Sequence, residues 1–486
     1  MTTSHESDLP TTLASPIDGS AKVRFTPVKI AGLVGGVVVL LGAGIALSFA
    51  LLSGGGAQPE DVLPRDTVAF AKVDFNPHIG QKIALVRFVT KFPKTFKNVD
   101  EKDPVGSLFN QFVTNSNFDW SRIKPWIGSR YAVAAVEDAN GIQPVVVLEI
   151  TNEQEMKYYF AKELPDENYV IQNGFAIIST NKSTLDLITS APTHLSDNPQ
   201  FKSDLAALGG DQIALIWADL KPIANYASDT INSLLYDFGS GIDLSSLGKI
   251  SGRIALGFHV TPDSVVATFG TSGMGSVASL ASKVDSQATI GQFPSNTLLA
   301  LNLDGVGKAI SDAIANNPDI ANLLGGDSYY SNVSPEDYAA VLDGPLAIIL
   351  LQNPKDPASP LVAIRISPAN ASKARTAVKN LENYFYGENL PSVSDGDYIY
   401  FGVDETSLKQ LIAEMNSPAE RLANTQIYKK SVTGSGYLAV FANLDQLIST
   451  FDLQIQDAPL GGLGIVGSVN DGAEGSSRTT FTLSLK

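Results

Sequence analysis

The sequence predicts an α+β protein: a single N-terminal transmembrane helix, then an internally duplicated extracytoplasmic region of antiparallel sheets with helices on one face. Three observations carry this expectation. An apolar run at Ile30–Leu52 has no charge, short β-rich segments are joined by tight turns, and one order of segments recurs after Gln292.

Residues 1–29 form the expected cytoplasmic tail, in which Glu6, Asp8 and Asp18 balance Lys22, Arg24 and Lys29. Residues 30–52 are the expected transmembrane helix. At about 1.5 Å per residue, Ile30–Leu52 can cross a hydrocarbon core of about 30 Å. The apolar core of a cleaved signal peptide is shorter, about 7–15 residues, so the segment reads as a retained signal anchor. Three cations precede it and Glu60 and Asp61 follow it. The positive-inside rule then places the N-terminus in the cytoplasm and the C-terminus outside, in a single-pass protein of the cell membrane. Gly32 and Gly36 stand four apart, a small-residue face through which two such helices can form a homodimer. Residues 53–62, rich in Gly, read as a flexible spacer.

Residues 63–272 make the first extracytoplasmic repeat. Thr67–Phe75 is strand-like. Arg130–Glu137 and Ile142–Ile150 flank Asp138-Ala139-Asn140-Gly141, a hairpin signal. Thr151, with Gln154 three residues on, reads as a capping box opening a helix through Leu164. A strand at Phe175–Ser179 leads to a helix near Ser183–Ile188. Gln212–Asp219 reads as a buried strand, and a hairpin around Pro262-Asp263 joins Lys249–Phe258 to Ser264–Gly270.

Residues 273–292 are a connector, and residues 293–486 a second repeat. Pro64, Thr67 and Asp74 match Pro294, Thr297 and Asp304 at one constant offset. Leu346–Leu351 and Leu361–Ile366 repeat the first hairpin, and Ser367, followed by Pro368, falls opposite Thr151 as a helix cap. Phe175–Ile178 matches Tyr398–Phe401, Asn181 matches Asp404, and Trp217 matches Phe441. Gly464–Val469 and Thr479–Leu485 close the second copy. Polar caps and apolar strand positions recur together, which common β-composition does not explain.

Net charge is −16, all of it after Leu52. An acidic surface of this kind repels phosphate backbones and excludes nucleic acid as a partner. With no cysteine, disulfides, thiolate metal sites and a cysteine nucleophile are excluded, and a large external domain without disulfides fits a bacterial surface. His5, His78, His194 and His259 show no metal-ligand spacing. Ser121-Arg122-Ile123-Lys124 has the spacing of a Ser–Lys hydrolase, but no companion motif accompanies it. The acidic groups Asp100–Asp103, Glu336-Asp337 and Asp395-Gly396-Asp397 do not fit a calcium loop and read as solvated turns. Trp120 and Trp126, with Phe109, Phe112 and Phe118, read as packing rather than a sugar-stacking surface. The sequence therefore assigns no catalytic, cofactor-binding or metal-ligating residue.

The opening Leu63-Pro64-x-Asp66-Thr67, continuing to Val73-Asp74-x-x-Pro77, Gln81, Phe88 and Lys91-Phe92-Pro93, resembles a family of actinobacterial single-pass membrane proteins. That family is catalogued as the domain of unknown function numbered three thousand three hundred and fifty-two. The resemblance implies an anchored bacterial envelope protein, with no activity, cofactor or site residue to carry over. The leading expectation is a non-enzymatic binding or structural module of the cell envelope, with an unknown envelope protein or ligand as partner. The alternative is a carrier or sensor for an apolar ligand held between sheet and helices, and a hydrolase ranks below both.

Overall fold

The computed structural model describes residues 56–75, 79–91, 119–226, 251–274, 285–305, 307, 334–385, 391–453, 459–469 and 475–486. In chain order the first half runs β1 (Ala69–Asp74), α1 (Ile79–Thr90), α2 (Trp120–Ile123), β2 (Ile127–Asp138), β3 (Gly141–Ile150), α3 (Glu153–Glu163), β4 (Asn168–Gln172) and β5 (Phe175–Ser179). It continues with α4 (Lys182–Ser190), α5 (Pro199–Leu208), β6 (Ala214–Asp219), β7 (Arg253–Thr261) and β8 (Ser264–Ser272). The second half is α6 (Ser286–Gly291), β9 (Thr297–Leu303), α7 (Pro335–Val341), β10 (Leu346–Leu351), β11 (Leu361–Ile366), α8 (Ala371–Phe385), β12 (Ser392–Asp395) and β13 (Tyr398–Phe401). It ends with α9 (Glu405–Asn416), α10 (Gln426–Ser431), β14 (Leu438–Asn443), α11 (Leu444–Thr450), β15 (Leu460–Val469) and β16 (Ser477–Leu485).

All these strands lie in one 16-stranded sheet, ordered β12-β13-β11-β10-β9-β14-β15-β16-β8-β7-β6-β1-β2-β3-β5-β4, and each adjacent pair is antiparallel. Read outward from the central β8–β16 pair, the two halves have the same strand order. Following the registers strand by strand carries Thr268 onto Thr480, and these two residues also face each other across the seam. An approximate two-fold axis therefore passes through that pair.

The expected architecture is corrected at two points. It foresees an α+β region of antiparallel sheets with helices on one face, and leaves open whether the repeats share a sheet; the structure is dominated by one continuous antiparallel sheet of 16 strands, with helices packed on both faces. Side chains alternate along a strand, so Phe70 and Val73 of β1 point to opposite sides. On the first face, Phe70 and Trp217 pack with Leu185 of α4 and Phe201 of α5. Phe441 on the same face packs with Leu408 of α9 and Tyr428 of α10. On the second face, Val73 and Val146 pack with Phe88 of α1, Trp120 of α2 and Phe160 of α3. Both faces of a central strand need cover, and the apolar runs of β3 and β5 present buried side chains to helices on both sides.

The second correction concerns the membrane. Among the described residues no helix is long and apolar enough to cross one. Ile30–Leu52, on which the transmembrane, single-pass and signal-anchor reading rests, lies outside the described residues, with Gly32 and Gly36. The expected spacer is also partly folded. Pro59–Asp61 forms a 3-10 turn, Glu60 pairs with Lys72 at 2.5 Å, and Val62 is fully buried.

The helix starts follow a shared rule. Asn152 accepts from the backbone N–H of Gln154 and Glu155, and Asn370 accepts from that of Lys373, so asparagine caps α3 and α8. Thr151 and Ser367, the expected caps, still belong to the sheet side of the junction: the Thr151 hydroxyl donates to the Ile127 carbonyl, and the Ser367 N–H to that of Pro345.

Candidate functional site

The second face is unevenly covered. One cross-strand row runs Ile364–Ile348–Leu301–Val440–Ile465–Phe481–Ala267, each residue directly opposite the next on seven successive strands from β11 to β8. Strands are about 4.8 Å apart, so the row extends roughly 29 Å. None of its members is buried: Ile364, Ile348 and Phe481 are 40%, 37% and 39% exposed, and the others are half-buried. Val362, beside the end of the row, is 42% exposed.

The two-fold related row continues the surface beyond the seam as Phe269–Leu256–Ile216–Ala71–Val133–Val146. Ile216 is 39% exposed, but Val146 at the far end is 2% exposed, packed with Met156 and Phe160 of α3. In the second half the residue at the place of Val146 is Ile364. There the counterparts of Met156 and Phe160 on α8 are Ala374 and Val378, which pack instead against Ile366, Ile399 and Phe401. With these smaller side chains on α8, Ile348 and Ile364 are left 37% and 40% exposed and are not packed into a core cluster of the described residues.

This surface is chemically uniform. The backbone N–H and C=O groups beneath it are engaged in sheet pairing, so hydrocarbon alone faces outward. Contiguous exposed apolar area of this kind is uncommon on a protein surface and marks a contact site. Such a surface can bind through burial of apolar area, at about 25 cal/mol per Å², but offers no acid, base or nucleophile.

The candidate groups from the sequence are dispersed. His194 begins the 3-10 turn Leu195–Asp197 and its backbone N–H donates to Asp197. His259 lies on the first face in β7. The Ser121 hydroxyl donates to Asp119 at 2.7 Å, not to an activating base. Asp337 accepts from the Ser334 N–H and caps α7. Asp395 and Asp397 flank Gly396 in the β12–β13 turn. Trp120 and Trp126 are buried in the core with Tyr159 and Phe160. His5, His78, Asp100–Asp103, Phe109, Phe112 and Phe118 lie outside the described residues. Among the described residues no three His, Cys, Asp or Glu side chains converge to hold a metal. Sequence patterning found the apolar strands but missed the exposed row, because which residues adjoin depends on pairings between distant strands. No family model, no curated protein and no solved structure matches the chain.

Proposed function

We propose that the folded region is a binding module of the bacterial cell envelope whose ligand is apolar, a lipid acyl chain, received on the open second face of the sheet. The observation that supports this reading is the row Ile364–Ile348–Leu301–Val440–Ile465–Phe481–Ala267, aliphatic apart from one phenylalanine and free of charge over seven strands. A protein partner would call for a polar rim and hydrogen-bonding groups around an apolar centre. A hydrocarbon chain needs neither, and its contacts with the row are dispersion and water release.

The test is titration of the full-length chain with cis-parinaric acid, a fatty acid that becomes fluorescent in hydrocarbon. Fluorescence should rise to saturation. Ile348→Asp and Ile364→Asp should weaken binding by about tenfold or more, since each places a charge under the chain. These side chains are already exposed, so the variants should fold. No fluorescence rise, or unchanged binding by both variants, would refute the proposal.

A further inference from the structure

The first face carries a second feature, at the seam between the halves. A trough of about 600 Å³ lies between the end of α5 and the end of α10, floored by β7, β8 and β16. Its floor is rich in hydroxyl-bearing side chains. Ser264, Thr268, Thr480 and Thr482 line it, and all four residues are buried. The hydroxyls of Thr268 and Thr482 make no hydrogen bond with described residues. The Nδ1 atom of His259 is buried in the same wall without a described partner. Burial and the nearby Arg478 guanidinium hold the His259 pKa below its ordinary value, so the ring is neutral at neutral pH. A buried polar atom is ordinarily satisfied, and His259 Nδ1 beside a floor of four hydroxyl-bearing residues is complementary to a hydroxyl-rich ligand.

Charge adds a second requirement. Arg478 stands at one end of the trough. At the other, Asp263 is held by Lys91 at 2.6 Å and Lys430 at 3.6 Å. Two cations, Arg478 and Lys430, line the trough against one carboxylate, Asp263, which leaves the lining one charge positive on a chain of net charge −16. The Arg478 side chain donates to the Thr480 hydroxyl at 3.4 Å, and from there about four residues of strand, roughly 14 Å, separate it from the Asp263 end. A lone anion can reach only one end. A neutral sugar meets the hydroxyls but neither cation.

We infer that the seam trough is a binding site for an acidic oligosaccharide, its carboxylates at Arg478 and Lys430 and its hydroxyls over Thr268, Thr482 and His259. The site is on the opposite face from the apolar row and does not depend on it.

The experiment is calorimetric titration of the full-length chain with trigalacturonate, maltotriose and inorganic phosphate, at low and raised salt. Trigalacturonate should bind about tenfold or more tightly than either control, and its affinity should fall with salt. Arg478→Gln with Lys430→Gln should lower the affinity about tenfold and flatten the salt dependence. Thr482→Val should weaken binding severalfold and leave the salt dependence in place. Both cations are surface residues, and unchanged cis-parinaric acid binding or an unchanged circular dichroism spectrum reports that the variants are folded. Phosphate binding as tightly as trigalacturonate would mean a simple anion site and overturn the inference. So would maltotriose binding equally, or full affinity in the doubly substituted chain.

Discussion

The two halves solve one packing problem with different chemistry. In the first half, Asp204 of α5 accepts from Trp217 Nε1 at 2.9 Å, Arg253 Nε at 2.7 Å and the Ser272 hydroxyl at 2.8 Å. The registers carry Trp217, Arg253 and Ser272 onto Phe441, Gly462 and Ser484, and aligning Phe201 of α5 with Tyr428 of α10 carries Asp204 onto Ser431. There Ser431 and Ser484 share a hydrogen bond at 2.7 Å, the Gly462 N–H donates to Ser484, and Phe441 needs no acceptor. At Gly464, on the same strand, an added Cβ would lie 1.9 Å from the Ser431 carbonyl, so α10 sits directly on the backbone of β15. The aromatic stacking survives the change: Phe201 and Trp217 meet at 5.4 Å, as do Tyr428 and Phe441. Leu63 and Phe70 likewise correspond to Phe293 and Ala300, an exchange that moves the ring from strand to preceding loop while all four stay buried. Position and volume are held, while polarity is replaced as a set.

The largest test removes the shared part. Trp217→Ala and Phe441→Ala should each cost about 3–5 kcal/mol in urea unfolding, the expectation for a buried aromatic replaced by a cavity. The two variants should shift one common transition, because the halves share a continuous sheet. Two separate transitions would break the comparison. The polar set comes next. Asp204→Ser, the second-half residue, should cost about 3 kcal/mol, since the Trp217 and Arg253 donors lose their acceptor. Combining it with Trp217→Phe and Arg253→Gly should cost less than the sum of the single changes; strict additivity would show that the four positions do not act as a unit.

Smaller differences separate the second-face residues. Val146→Ala should cost about 2 kcal/mol and Ile364→Ala about 0.5 kcal/mol or less, because only the former opens a cavity. Equal losses would mean that Ile364 is covered in solution. The smallest effect is electrostatic. Asp138 and Asn353 occupy the same turn position, each accepting from the backbone N–H two residues on. Burial opposes ionisation of Asp138, but hydrogen bonds from Thr184, the Asn140 N–H and Ser183 outweigh it and hold the carboxyl below its ordinary pKa. The contribution is therefore complete above the unfolded pKa, near about 4, and is lost as pH falls through the lower folded value. Asp138→Asn should remove a small part of the acid dependence of stability, while Asn353→Ala should leave that dependence unchanged.

The sequence made the local features legible and the pairings less so. The Asn140-Gly141 turn follows from residue chemistry: Gly141 has φ of 100° and an added Cβ would press on the Tyr226 ring. Pro64 and Pro294 each accept a hydroxyl hydrogen bond from the threonine three residues on, Thr67 and Thr297, at 2.7 and 2.6 Å. The caps were misassigned because Thr151 and Ser367 carry suitable side chains, yet strand hydrogen bonding extends through them and the next free asparagine closes the helix. Edge strands β4 and β12, short and partly polar, carry little alternation to read. The seam itself was illegible. Nothing in the local pattern of Ser264–Ser272 says that its neighbour is Ser477–Leu485, about two hundred residues away, and both candidate sites depend on that pairing.

That pairing also bears on how such a chain can arise. Strands β8 and β16 are nine residues each, and the sheet they join ends instead on β4 and β12, of five and four. Split at the seam, each half would present its long strand as an unpaired ribbon, open to any other strand in reach. Two identical halves would satisfy that edge by pairing with each other about the axis at Thr268 and Thr480, as a closed symmetric dimer. Fusion into one chain keeps the closure and lifts the requirement that both sides be the same. One copy could then retain its lid over Val146 while the other lost it over Ile364, and a seam that symmetry would have forced to be identical from either side could acquire Arg478 at one end and Lys430 at the other.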